Sequence, residues 1–137
     1  MGILAPSAVD MVIGKSLDAA SLGVRVVANN IANVNTPGFK RSEVDFDSQL
    51  RAALGSKPSA MFLTHPKHIG DQPRMRLTDA HPQVILRTDT ALRNDKNNVD
   101  VELEMGKLAR LDILYRSLLE FQGARHGMLR TAITEGR

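Results

Sequence analysis

Residues 7–38 read SAVDMVIGKSLDAASLGVRVVANNIANVNTPG and contain the strongest helical signals in the N-terminal half of the chain. Ser7 and Asp10 have the spacing of a capping box, in which a hydroxyl and a carboxylate satisfy backbone amides at the start of a helix. Thr36-Pro37-Gly38 ends the helical pattern, because proline lacks an amide donor and glycine permits a turn. We therefore predict an N-terminal helix over residues 7–35.

An apolar stripe runs along this predicted helix. Its members recur at alternating spacings of four and three residues, which is typical of a helix that buries a narrow face against a second helix. We predict that they form a helix seam. They are Ile13, Leu17, Ala20, Val24, Val27 and Ile31.

A second helical pattern spans residues 99–134, with N-cap candidates at Asn97, Asn98 and Asp100. Its apolar residues follow the same rhythm, and a flanking stripe with a period of seven widens the apolar face. A face of this width predicts more than one neighbour. The predicted seam and polymer-interface residues of this helix are Leu108, Leu111, Tyr115, Leu118, Phe121 and Met128.

Residues 36–98 form a proline-rich insert in which no helical stripe persists. Three short runs within it are candidate strands, at residues 61–63, 75–77 and 83–87. The chain is therefore predicted to be mainly α, with long N- and C-terminal helices that pair as a coiled-coil-like hairpin. Between them lies a loop-rich central insert with room for a small β element.

Composition excludes several classes of protein. The 137 residues include no cysteine, which rules out a disulfide framework and any thiolate site. The net charge of +3 is scattered, so that no basic stripe is available to follow a nucleic-acid backbone. The sequence shows neither a secretion signal nor the ~20 apolar residues that span a bilayer, and we expect no membrane insertion.

Two motifs suggest a binding or catalytic site, but the residues around them argue against one. Gly14-Lys15-Ser16 imitates the end of a phosphate-binding loop, yet Val9 stands where the leading glycine belongs and the run lies inside the helical stripe. His65 and His68 are candidate zinc ligands, but Pro66 prevents the helix that would align them. We expect no catalytic residue, no metal and no cofactor, and a metal-dependent hydrolase using these histidines is the rival from the enzyme class.

Four asparagines crowd the end of the first predicted helix. One interpretation is turn chemistry and helix C-capping. The other is that Asn30 or Asn33 is held at a helix–helix contact, where a buried amide sets the register at some cost in stability. The residues alone favour neither interpretation.

The run Ala28-Asn29-Asn30-Ile31-Ala32-Asn33-Val34-Asn35-Thr36-Pro37-Gly38-Phe39-Lys40 resembles the N-terminal signature of the flagellar rod, hook and hook-associated protein family. The residues that carry this match are Asn30, Ile31, Ala32, Asn33, Thr36, Pro37, Gly38 and Phe39. Stretches at 42–46, 64–69, 97–105, 107–109 and 129–137 are similar to one proximal-rod member of that family. The resemblance therefore covers nearly the whole chain.

The resemblance implies one rod-type subunit over residues 1–137, which polymerises through its terminal helices and transmits torque from the MS ring to the distal rod and hook. It implies export from the cytoplasm by the flagellar type III export apparatus without a cleaved signal, and assembly in the periplasmic rod. The implied partners are other copies, other rod subunits, the hook–basal-body adaptor protein FliE and the MS-ring protein. Other proximal-rod members, or a helical adaptor or export chaperone, are the alternatives.

Overall fold

A computed structural model describes residues 7–55, 76–88 and 94–135. Along the chain the elements are the helix α1 (Ala8–Ala32), the strand β1 (Ser42–Asp45), the helix α2 (Asp47–Gly55), a short 3-10 helix (Leu77–Asp79), the strand β2 (Gln83–Leu86) and the helix α3 (Val101–Glu135). The two long terminal helices pack together and a small sheet lies between them in sequence. The predicted fold class is therefore confirmed.

The helix α1 begins with the predicted capping box. The Ser7 hydroxyl accepts a hydrogen bond from the amide of Asp10 at 3.2 Å, and the Asp10 carboxylate accepts one from the amide of Ser7 at 3.2 Å. The helix ends at Ala32, three residues before the predicted end at residue 35. The side-chain amide of Asn33 donates to the carbonyl of Asn29 at 2.8 Å and so closes the last turn early.

The helix α3 contains 35 residues, from Val101 to Glu135, which corresponds to a length of about 52 Å. Of the three N-cap candidates, Asp100 is the one that caps it. Its Oδ1 accepts hydrogen bonds from the amides of Glu102 and Leu103, at 3.0 and 3.3 Å. The helix continues without a break through Gly106.

Three contacts set the antiparallel register of α1 against α3. Near one end, Asn30 lies opposite Glu104, with a hydrogen bond of 2.9 Å. In the middle, Gly23 lies against Leu111, and at the far end Arg125 binds Asp10. A side chain at position 23 would crowd Leu111, since an ideal Cβ would lie 3.1 Å from Leu111 Cδ1. The small residue therefore permits the close approach of the helices.

The strands β1 and β2 form a two-stranded antiparallel sheet in which Glu43 pairs with Ile85. The candidate strand at residues 83–87 is thereby confirmed, because β2 occupies Gln83–Leu86. The candidate at residues 75–77 is wrong, since Leu77 begins the 3-10 helix and the preceding Arg76 is its N-cap. The candidate at residues 61–63 lies outside the described residues.

The helix α2 was missed, because the proline spacing of the insert predicted no helix there. Asp45 starts it: the Asp45 carboxylate accepts hydrogen bonds from the backbone amide and the hydroxyl of Ser48, at 3.3 and 2.6 Å. The helix packs over a small core formed by Ala19, Phe46 and Ala80. That core attaches the insert to α1, and it depends on contacts between distant residues that no local pattern reveals.

Candidate assembly surface

The predicted seam of α1 divides into two sets in the structure. One set is buried, with exposed fractions of 4% for Ile13, 2% for Ala20 and 5% for Val27. The other set is half-buried along one side of the helix pair and consists of Leu17, Val24 and Ile31. The first set lies in the packed interior, whereas the second leaves part of its apolar surface exposed to a neighbour.

The predicted seam of α3 divides in a similar way. Leu108, Leu111 and Leu118 are half-buried against α1. Phe121 and Met128 are mostly exposed, with exposed fractions of 59% and 66%, and Tyr115 has an exposed fraction of 36%. Such a run of large exposed apolar side chains on one helix is typical of an interaction surface.

An apolar groove lies between α1 and α3 on the side that carries the two-stranded sheet, and its volume is about 520 Å³. We call it the assembly groove. Its floor contains small residues of α1 and leucines of α3, while β1 and the start of α2 form one wall. The floor residues are Ala19, Ala20, Gly23, Leu111, Leu114 and Leu118.

The signature residues are placed at the end of α1 and in the turn that follows it. The Thr36 hydroxyl donates to Asn33 Oδ1 at 3.2 Å, and the amide of Phe39 donates to the carbonyl of Thr36 at 3.2 Å. Gly38 has a φ of 72°, which favours glycine. Pro37 is exposed, Ala32 is an exposed residue of the last helical turn, and Ile31 is half-buried.

Asn30 is fully buried where α1, β1 and α3 meet. Its side-chain amide donates to the carbonyl of Ser42 at 2.8 Å and to Glu104 Oε2 at 2.9 Å, and its oxygen accepts from the amide of Ser42 at 3.0 Å. Asn33, by contrast, caps the helix. Both interpretations of the asparagine cluster are therefore found in the structure, each at a different residue.

A charged cluster surrounds this amide. Glu43 of β1 accepts hydrogen bonds from Lys107 at 2.7 Å, Arg87 at 2.8 Å and Arg41 at 2.7 Å. The hydrogen bond from Lys107, followed by that from Arg87, lowers the pKa of Glu43 to about 2, although partial burial opposes the shift. Lys107 also binds Glu104 at 2.8 Å, so one cation joins the strand to α3.

Sequence reasoning missed Glu104, and it treated Asn97 and Asn98 only as helix caps. The Asn97 amide donates to the carbonyls of Asn33, Val34 and Thr36 at 3.0–3.1 Å, which holds the end of α1. The Asn98 side chain accepts from the amide of Arg41 at 2.7 Å and donates to the carbonyl of Arg87 at 2.8 Å. The signal in the sequence was a pair of asparagines before a helix, but most of their partners are 57–64 residues away and the Arg87 carbonyl is 11 residues away.

The far end of the helix pair is held by a second polar contact. Arg125 Nε donates to Asp10 Oδ1 at 2.6 Å, and Arg125 Nη2 donates to the Ser7 hydroxyl at 2.6 Å. The hydrogen bond from Arg125 and that from Ser7 lower the pKa of Asp10 to about 2. The capping residues of α1 therefore also align α3.

Of the two motifs that suggested chemistry, only Gly14-Lys15-Ser16 lies within the described residues. Lys15 Nζ donates to the carbonyls of Thr78 and Ala80, at 2.8 and 2.6 Å, and so tethers the 3-10 helix to α1. His65 and His68 lie outside the described residues. Within the described part of the chain, no three acidic or histidine side chains are grouped to hold a metal ion.

None of the helices in residues 7–55, 76–88 and 94–135 combines the length and the apolar run needed to cross a membrane. Three features stand together: a long antiparallel helix pair, an open apolar face, and a polar junction formed by Asn30, Glu43, Glu104 and Lys107. Together they define a structural subunit of the kind that assembles through its helices.

Comparison with known proteins identifies the assembly. A sequence model described as flagella basal body rod protein matches residues 16–40, which include the signature. The chain is 38% identical over 109 residues to the flagellar basal body rod protein FlgB of Borrelia hermsii, covering 77% of this chain and 81% of the relative. It is 31% identical over 122 residues to FlgB of Bacillus subtilis strain 168, covering 89% and 90%.

FlgB of Escherichia coli strain K12 is 30% identical over 110 residues, which cover 76% of this chain and 78% of the relative. The chain therefore belongs to the FlgB family of flagellar basal body rod proteins. It is a structural subunit of the basal-body rod, and the alternatives of another rod type or an adaptor are not favoured.

Proposed function

We propose that this subunit builds the proximal rod by polymerising through its terminal helices, and that the resulting shaft transmits torque from the MS ring to the distal rod and hook. The observation that carries the proposal is the exposed apolar face of α3 beside the half-buried side of α1. A single helix pair leaves this surface in water, whereas neighbouring copies would cover it. The role is structural rather than catalytic.

The two apolar sides of the helix pair differ from one another. The side next to the two-stranded sheet carries Leu114 and the small floor residues of the assembly groove. The other side carries Val24, Met105 and Leu108. A contact between unlike surfaces is heterologous, and its repetition gives an open helical array rather than a closed dimer. This geometry supports a tube-like assembly.

The family membership supports further parts of the proposal. We include export from the cytoplasm by the flagellar type III apparatus without a cleaved signal, followed by assembly in the periplasmic part of the basal body. Other rod subunits, the adaptor protein FliE and the MS-ring protein are the proposed neighbours.

Charging the seam tests the proposal. Leu17→Asp or Leu118→Asp places an unpaired charge in the helix seam, where the cost is several kcal/mol. We expect both variants to lose rod assembly and swimming motility. Ser21→Asp, on the exposed side of α1, is the matched control and should swim normally. Normal swimming by either seam variant would contradict the assignment of these helices to assembly.

A further inference from the structure

The last turns of α3 extend beyond the described part of α1. Because Arg125 lies opposite Asp10 in the antiparallel register, position 128 is level with Ser7 and the end of α3 at Glu135 lies about 10 Å beyond it. Met128, Leu129 and Ile133 in this segment are exposed at 66%, 49% and 74%. We call this segment, residues 128–135, the α3 end.

The apolar residues of the α3 end lie on one side of the helix. Met128, Leu129, Ala132 and Ile133 have spacings of one and four residues, which place them on a continuous face. Arg130 lies three residues before Ile133 and is therefore adjacent to that face. It forms no ion pair among the described residues. The α3 end is thus an amphipathic segment with a cation at its margin.

The assembly groove has complementary properties. Its floor is apolar, and its volume of about 520 Å³ has room for several aliphatic side chains. Four carboxylates and two cations line it. Glu43 and Glu104 are paired within the molecule with Lys107, Arg41 and Arg87. The other charged residues of the lining are Asp45 and Asp47 at the β1–α2 wall and Arg110 on α3, so the wall itself is negative.

We propose that the assembly groove of one copy receives the α3 end of a second copy. The face that contains Met128, Leu129 and Ile133 would cover the floor, and Arg130 would approach Asp47. This inference rests on the proposed self-assembly and names the two surfaces that meet. Since the groove and the α3 end are different parts of the chain, each bound copy leaves one of each available, and the contact propagates.

Disulfide cross-linking tests the contact directly, because the chain contains no cysteine. In the full-length double variant Leu114→Cys with Met128→Cys, oxidation of the assembled protein should give a ladder of linked dimers, trimers and longer species. The two positions are 14 residues apart on one straight helix, or about 21 Å, so they cannot be bridged within a chain.

Matched cysteines separate the possible outcomes. Ile113→Cys with Met128→Cys places the first thiol beside Leu114 in sequence but on another side of α3, and it should give no ladder. A ladder from this control, or dimers from Met128→Cys alone, would overturn the proposed pair of surfaces. Assembly without a Leu114–Met128 ladder would also overturn it while leaving the proposed function intact. Absence of any assembly in vitro and in basal bodies would contradict both.

Exchange of charges provides a second test. Arg130→Glu and Asp47→Lys should each lower the yield of cross-linked ladder about fivefold, because each replaces attraction by repulsion. Their combination should restore the yield. Arg25→Glu, on the exposed side of α1, is the control and should leave it unchanged. Failure of the combined variant to recover would overturn the pairing of Arg130 with the groove margin.

Discussion

At the scale of single residues, adjacent asparagines have opposite environments. Asn29 is exposed, whereas Asn30 is fully buried and satisfies both backbone groups of Ser42 as well as Glu104. Within the described residues, every fully buried side-chain nitrogen and oxygen has a hydrogen-bond partner. A buried network that is completely satisfied specifies one arrangement of the elements that it joins.

Asn30→Ala should therefore destabilise the fold by about 1–3 kcal/mol, because the amide of Ser42 and Oε2 of Glu104 lose the hydrogen bonds that Asn30 makes to them. Denaturant unfolding followed by circular dichroism measures the change. Asn29→Ala, one residue earlier, should alter the free energy of unfolding by less than about 0.5 kcal/mol. Equal effects of the two substitutions would contradict the role of the buried amide.

The Glu43 carboxylate predicts a dependence of stability on pH. Its pKa falls from 4.5 to about 2 on folding, so the ionised form stabilises the folded state above the unfolded pKa. This contribution is lost as the pH falls from about 5 to 2. Glu43→Gln should flatten the decline of unfolding free energy across that range, and the exposed Glu102→Gln is the control. An unchanged profile in Glu43→Gln would exclude this group as a source of acid sensitivity.

At the scale of elements, the helix pair depends on glycines with different surroundings. A Cβ added at Gly106 meets no atom within 4 Å, whereas one added at Gly23 lies 3.1 Å from Leu111 Cδ1. The first glycine lies within the continuous helix α3 and packs against no other element. The second lets α1 and α3 approach closely, so that their apolar residues come into contact.

Gly106→Ala should stabilise the protein by about 1 kcal/mol, because alanine loses less backbone entropy in a helix. Gly23→Ala should raise the free energy of unfolding by less than Gly106→Ala does, or lower it, because Leu111 must move to admit the methyl group. Thermal unfolding of the two variants checks the comparison. An equal increase in stability for the two variants would show that the helices are not in close contact at Gly23.

At the scale of the whole molecule, the fold leaves its longest helix covered on only part of its surface. The polar junction near Asn30 and the contact of Arg125 with Asp10 hold the two ends of the pair. Phe121 lies along the open side of α3, between Leu114 and Met128 in the stripe of sevens. The molecule thus combines a polar framework with an apolar surface suited to assembly.

Phe121→Gln should leave the stability of the subunit within about 0.5 kcal/mol, because the ring is already 59% exposed. It should nevertheless abolish self-association, measured by analytical ultracentrifugation, because the apolar surface offered to a neighbour is lost. Ile113→Gln, at an equally exposed apolar residue on another side of α3, should retain self-association. If Phe121→Gln assembled normally, the flanking stripe would not belong to the interface.

The two long helices, the capping box at Ser7, the end of α1 before Thr36-Pro37-Gly38 and the resemblance to a rod family could all be predicted from the amino-acid sequence. These follow from interactions between residues close in the chain, or from the rhythm with which apolar residues recur. Three further features became visible only in the folded chain: Asn30 is the buried amide, Lys107 joins α3 to β1, and α2 packs over the core that contains Ala19. These contacts connect residues far apart in the chain, and their energies depend on burial and on partners that local spacing does not specify.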